Sequence, residues 1–317
     1  MGFVRVPGND IPEGAEEHWL EGRGGVKVRV LTAPSSQGSA RGSVIVCPGR
    51  TEFIEKYFEV IRELQARGFA VFCIDWRGQG LSGREVSDPV KGHFHSFDDP
   101  VNDLATALKL LSSKLPRPHI GLAHSMGGCI LLRAMQTRRV DLDAAAFSAP
   151  MWGIPNLGNL SKQYVRFMAS VGAGGQFAPG VERKWRRENF KRNPVTNDKE
   201  RHARGQGLIS EEPRLALAGP TIGWVAAAAD ATEAFLQPNA FAHLRLPMLV
   251  ASAGQEQLVD NKAHAAVAAA LPDAIHITIP GAKHEILQGA DADRAQFWEA
   301  FDQLTERVVP RQGAVAG

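Results

Sequence analysis

The sequence of 317 residues has only three cysteines, only two tyrosines, little excess charge and no long apolar run. Cys47, Cys73 and Cys129 have apolar neighbours, as in Val44-Ile45-Val46-Cys47 and Val71-Phe72-Cys73-Ile74. They are too few for a disulfide framework and no pair has metal-ligand spacing, so they read as buried thiols in a reducing compartment. Crossing a bilayer takes roughly 20 apolar residues; Val225–Ala229 is far shorter, and Asp230 ends it. Met1–Arg5 lacks the apolar core of a signal peptide, and the expectation is a cytoplasmic protein. Basic residues number 36 and acidic ones 34, a net charge of +2. That balance gives no general case for nucleic-acid binding. Repeats are lacking, and the one low-complexity stretch is an Ala/Gly-rich tail after Pro310, expected to fray.

What is present is an alternation of short apolar runs and helical patterns. Ser43–Cys47, Ala70–Ile74, His119–Ala123, Ala144–Ser148, Met248–Ser252 and Ile275–Ile279 read as strands buried on both faces. Val26–Leu31 alternates and reads as an edge strand. Near-continuous apolar strands are what a parallel sheet covered by helices requires. Helices are predicted over Phe53–Ala66, Pro100–Ser113 with Asp99 as N-cap, Met126–Gln136, Asn261–Leu271 and Asp291–Val308. From about Trp152 to Phe241 the pattern is helical and irregular, and reads as an insertion capping the sheet.

Ala123-His124-Ser125-Met126-Gly127-Gly128 lies between a buried strand and a helix, the setting of a nucleophile elbow. A sharp turn needs small flanking residues. Gly127 is one; Ala123 stands where glycine is usual, and a methyl is the smallest addition. A serine that merely caps a helix is the competing reading. Chain order separates the two, since in such elbows an acid and then a histidine follow the serine. Glu256 and Asp260 follow one strand, and His284 follows the last. Asp260 directly precedes a helix and is explained as its cap, so Glu256 is favoured as the acid. The loop Cys47-Pro48-Gly49-Arg50 could present the Arg50 N–H, beside that of Met126, to a tetrahedral oxyanion. A plain strand-to-helix turn would use Pro48-Gly49 equally well.

Several segments together are distinctive: Pro48–Glu52 through Tyr57, Asp75–Ser82, Gly92-His93 with Ser96–Asp98, His124–Gly128 and Gly281–Glu285. The combination resembles the bacterial lysophospholipase and monoacylglycerol lipase group of α/β-hydrolases, from about residue 15 to 306. Asn193–Asp198, and Gly219-Pro220-Thr221 with Trp224, resemble that group's cap. The resemblance implies an α/β-hydrolase fold, a mostly parallel sheet flanked by helices with a helical cap insertion. The core would be residues 1–151 and 241–317, and the cap 152–240. It further implies Ser125 as nucleophile, His284 as base, Glu256 as acid, and the Arg50 and Met126 amides as the oxyanion hole, with no cofactor or metal. Pro48 departs from the histidine that many relatives carry, as Ala123 departs from glycine. Asp75, Arg77 and Gly80 are expected to form a turn held by an Asp–Arg contact.

The expected activity is hydrolysis of single-chain lipid esters, lysophospholipid or monoacylglycerol, through an acyl-serine. Small non-lipid esters or thioesters are the alternative, and a non-catalytic ligand-binding role is a third. Leu160, Tyr164, Phe167, Met168 and Val171 share one helical face opposite Lys162, Gln163 and Arg166. That face is expected to pack on the core, or else to line an acyl channel. Tyr164, Phe167, Met168 and Trp152 are the candidate substrate contacts. The basic run Arg183–Arg187, with Lys191 and Arg192, reads as a solvated face or as a transient contact with anionic lipid heads at the inner membrane. Trp185 within it suits an interface.

Overall fold

The computed structural model describes residues 2–155 and 157–309; the tail after Pro310 lies outside the described residues. Eight strands form one sheet: β1 (Glu16–Glu21), β2 (Lys27–Ala33), β3 (Ser43–Cys47), β4 (Ala70–Ile74), β5 (His119–His124), β6 (Ala144–Ser148), β7 (Met248–Ala253) and β8 (Ala274–Ile279). Their order is β1-β2-β4-β3-β5-β6-β7-β8, and only β2 runs against the others. Alternate side chains of the central strands enter two separate cores. In β3, Val44 and Val46 join Phe58, Ile61 and Leu64 of α1 (Phe58–Ala66) and Phe297 and Phe301 of α8 (Asp291–Glu306). Ile45 and Cys47 join Leu104 of α2 (Asp98–Leu110), Ile130 of α3 (Met126–Gln136) and Val267 of α7 (Asn261–Ala270). The sheet is thus covered on both sides, which is why its inner strands are apolar over most of their length.

Between β6 and β7 the chain forms α4 (Asn159–Met168), α5 (Lys199–Glu211) and α6 (Ile222–Ala234). Among the described residues of that stretch the only β pairing is one bridge, Phe177 to Thr221.

Several local expectations are corrected. Val26–Leu31 is not at the edge, because β1, a polar strand, pairs outside it. Ile275–Ile279 is not buried twice over: β8 is the other edge, and Ile275 is 51% exposed. Phe53–Ala66 is not one helix. A short 3-10 turn, Ile54–Tyr57, precedes α1, and the Ile54 N–H goes to the Asp75 carboxylate at 2.8 Å. Helix α2 starts at Asp98, whose N–H bonds Ser96 Oγ at 3.1 Å, so Asp99 lies in the first turn and is not the cap. Asp75 and Arg77 do not pair with each other. Asp75 holds Arg29 at 2.9 Å and the Leu81 N–H at 2.8 Å. Arg77 makes a two-pronged contact with Asp103, at 2.6 and 2.7 Å.

Candidate active site

Four loops at the carboxyl edge of the sheet, those after β3, β5, β7 and β8, converge on Ser125. Ser125 follows β5 in a backbone conformation rare for a side-chain-bearing residue, φ 49° and ψ −119°. Such a turn persists only where the surroundings over-determine it. Here the Ser125 N–H bonds Ser148 O at 3.2 Å, and Ser125 O accepts from the Met151 N–H at 2.8 Å. Gly127 is required: a Cβ there would stand 2.1 Å from Cys47 O. Ala123, two residues before the serine, is fully buried in the core.

Ser125 Oγ lies 2.9 Å from His284 Nε2, and His284 Nδ1 lies 2.7 Å from Glu256 Oε2. The other Glu256 oxygen accepts from the Gln257 and Leu258 N–H groups at 2.9 and 2.7 Å, so the carboxylate cannot swing away. Burial works to raise the Glu256 carboxyl. The hydrogen bond and charge of His284, with the backbone donors, prevail and hold it below its ordinary value. The ionised carboxylate fixes the imidazole proton on Nδ1 and leaves Nε2 as an acceptor facing the serine. Asp260 instead accepts from the Lys262 N–H at 2.9 Å and caps α7.

The loop after β3 is braced by groups to which the sequence reading gave no role. Trp76 Nε1 donates to Pro48 O at 2.7 Å, and Gln79 Nε2 donates to Gly49 O at 2.7 Å. In a trans peptide the N–H points opposite its C=O, so the Arg50 N–H is directed away from Gln79. Among the described residues neither it nor the Met126 N–H meets a protein acceptor. Met126 opens α3, where free N–H groups are the rule. The buried Glu52 carboxylate accepts from the Gly49 N–H at 2.5 Å and from Tyr57 Oη at 2.6 Å, and it pairs with Lys56 at 3.0 Å. Burial would raise this acid, but Lys56, His124, Tyr57 and the Gly49 N–H carry it down to about 2. The spacing of Glu52 and Lys56, one helical turn apart, was the available signal.

Two further contacts were not foreseen. The His124 ring lies 4.7 Å from that of His284, and burial holds it below the ordinary histidine value despite Glu52. The His284 loop is also clamped by Asn193–Asp198. Glu285 N–H bonds Val195 O at 2.7 Å, Lys283 Nζ bonds Asn193 O at 2.9 Å and Asn197 Nδ2 bonds Gly281 O at 3.0 Å.

The remaining candidates are placed differently. Trp152 is buried, edge-on to Phe147 at 4.9 Å, with its Nε1 on Gly128 O. Met168 packs beside Val165 and Ala173. The apolar face of α4 does not pack on the core: Leu160 is 83% exposed and Phe167 63%, with Tyr164 and Val171 also exposed. Toward α6 the helix turns Val165, its buried residue, flanked by Lys162 and Arg166, which pair with Glu233 and Asp230. A cavity of about 140 Å³ lies between the loop after β3, α5 and the loop after β8, lined among others by Thr51, Lys56, Trp185, Leu217 and Glu285 but not by Ser125 or His284.

A strained serine turn with an acid and a histidine on later loops, all at one edge of a mostly parallel sheet, defines the α/β-hydrolase class. A family model described as serine aminopeptidase, S33, matches residues 38–291, and the chain belongs to that family. It is similar to lysophospholipase L2 of Escherichia coli, 34% identical over 281 residues, covering 83% of this chain and 80% of that one. It is also similar to a monoacylglycerol lipase of Mycolicibacterium smegmatis, 26% identical over 275 residues, covering 85% and 90%. Among solved structures, a soluble variant of the Saccharomyces cerevisiae monoglyceride lipase superposes with a TM-score of 0.71 at 18% identity, over 92% of this chain and 96% of that one. At that identity the match speaks for the fold alone. The protein is a carboxylic-ester hydrolase of this family. No helix among the described residues is long and apolar enough to cross a membrane.

Proposed function

We propose that this chain hydrolyses single-chain lipid esters, lysophospholipids or monoacylglycerols, with Ser125 as nucleophile, His284 as base and Glu256 as the orienting acid. The observation that carries the reading is the unbroken hydrogen-bonded line from Ser125 Oγ through His284 to Glu256. His284 Nε2 takes the serine proton as Oγ attacks the ester carbonyl. Glu256 stabilises the imidazolium so formed. The developing oxyanion is met by the Met126 and Arg50 N–H groups. His284 then protonates the departing alcohol. Water, deprotonated by His284 in turn, attacks the acyl-serine and releases the fatty acid.

The names of the relatives, lysophospholipase and monoacylglycerol lipase, support a lipid substrate. We read residues 152–240 as a cap whose cover leaves room for one acyl chain rather than two. The outward face of Leu160, Tyr164, Phe167 and Val171 and the basic run around Trp185 support transient contact with an anionic bilayer surface. The three cysteines, all buried and free, suit a cytoplasmic enzyme working at that surface.

The test is a hydrolysis screen over monoacylglycerols, lysophospholipids, two-chain phospholipids and p-nitrophenyl esters of graded length. Highest kcat/KM is expected on single-chain lipids. A preference for short non-lipid esters or for two-chain lipids would overturn the substrate reading and leave the serine chemistry standing.

A further inference from the structure

Among the described residues no carboxylate pairs with Arg50. Its part-buried guanidinium gives one hydrogen bond to a carbonyl, from Nη2 to Ala218 O at 2.6 Å, and lies 5.4 Å from the centre of the Trp224 ring. Its buried Nε meets no acceptor among the described residues. Burial alone accounts for the fall of its pKa to about 10, with no carboxylate opposing it.

Other buried arginines are treated differently. Arg29 faces Asp75, Glu55 and Glu17; Arg77 faces Asp103 and Glu85; Arg294 faces Glu59 and Glu63. Arg84 has no such carboxylate contact but gives hydrogen bonds to four carbonyls, those of Pro89, Ser82, Gly80 and Arg214. A buried cation with neither kind of compensation is costly, and this one sits on the loop that faces Ser125. Its Nη2 also lies near one residue that lines the neighbouring cavity, Leu217. The point where a Cβ on Gly92 would stand is 3.6 Å from Arg50 Nη2 and 3.4 Å from Leu217, a cavity-lining residue.

We infer that the Arg50 side chain binds the phosphodiester of a lysophospholipid and makes this residue the determinant of preference for anionic over neutral head groups. The inference rests on the ester-hydrolase reading above. In a lysophospholipid only the glycerol carbons separate the acyl ester from the phosphodiester. One residue can therefore engage both ends, its N–H the ester oxygen and its guanidinium the phosphate. Guanidinium suits the task, because its planar fork matches two phosphate oxygens. A monoacylglycerol has no group to take up those donors.

The experiment measures kcat/KM for a lysophospholipid and for a monoacylglycerol of the same acyl chain, in wild type, Arg50→Met and Arg50→Lys. The readout is the ratio between substrates, so any shared loss from disturbing the loop cancels. Wild type is expected to favour the lysophospholipid. Arg50→Met should cut the ratio about 10- to 100-fold, the range of one or two charge-assisted hydrogen bonds, and Arg50→Lys should retain part of it. Inorganic phosphate, competing for the same guanidinium, should lower the wild-type ratio and leave that of Arg50→Met unchanged; an equal fall in both proteins would overturn the inference. A ratio unchanged by Arg50→Met overturns it too, leaving Arg50 as a brace between its loop and Ala218. So does a wild type that hydrolyses monoacylglycerol but not lysophospholipid. A wild type that hydrolyses neither overturns the ester-lipid reading itself.

Discussion

Glu256 and Asp260 share one loop, and both are carboxylates beyond the same strand. Geometry separates them: Glu256 Oε2 is 2.7 Å from His284, while Asp260 is taken up in capping α7. Glu256→Gln should therefore lower kcat/KM by about 10² to 10⁴, since an amide cannot stabilise the imidazolium. Asp260→Asn should leave turnover within a few-fold of wild type and cost under about 1 kcal/mol of stability. Steady-state kinetics and urea titration of the two variants check this, and an inactive Asp260→Asn beside a normal Glu256→Gln would reverse the assignment. Gly127 offers a second test at this scale. A methyl at that position would collide with Cys47 O and Pro48 O, two backbone atoms that cannot yield alone. Gly127→Ala should destabilise the protein by about 2 kcal/mol or more and lower activity by deforming the elbow. A variant of native stability and rate would mean that the turn is looser than the contacts describe.

What could be read from the sequence differs from element to element. The inner strands were legible because both of their faces meet apolar cores, and such runs stand out locally. The two edge strands were not. β1 is polar and half-exposed, while β8 has an apolar composition that misrepresents its open outer face. Ser125, Glu256 and His284 could be picked out because each follows a strand with a recognisable turn. Trp76 and Gln79, which brace the loop after β3, could not, because nothing in a linear pattern shows which carbonyl an indole or amide will reach. The face of α4 was misjudged for a related reason: its charged side meets Asp230 and Glu233 on another helix, and those pairings are invisible to periodicity.

One such cluster joins α5 to the core. Glu59 of α1 meets Arg201 and Arg204 of α5 and Arg294 of α8, with Arg201 at 2.6 Å. Burial would raise the Glu59 carboxyl, but the arginines bring it down to about 2, from an ordinary 4.5. Its folded value lies below its unfolded one, so its stabilisation is complete above pH 4.5 and is lost as pH falls toward 2. Glu59→Gln should cost about 2 kcal/mol at neutral pH. The gap from wild type should close between those two values in urea unfolding at a series of pH. A gap that persists at the acid end would assign the effect to packing instead.

At the scale of the whole molecule, the sheet brings the ends of β3, β5, β7 and β8 to one edge, and the β6–β7 segment reaches back to grip the His284 loop through Asn193–Asp198. The same segment presents Leu160 and Val171 to solvent. Replacing both with serine should weaken co-sedimentation with anionic vesicles several-fold while leaving hydrolysis of a soluble short-chain ester near wild type. Equal binding by wild type and variant would remove the membrane contact from the proposal. The most direct measurement concerns Ser125 itself: treatment with a fluorophosphonate, peptide mapping of the adduct, and turnover of Ser125→Ala. A single adduct on Ser125, with ester hydrolysis abolished in a normally folded Ser125→Ala protein, is the expected result. A Ser125→Ala protein that keeps near wild-type turnover, or an adduct on another residue, would contradict it.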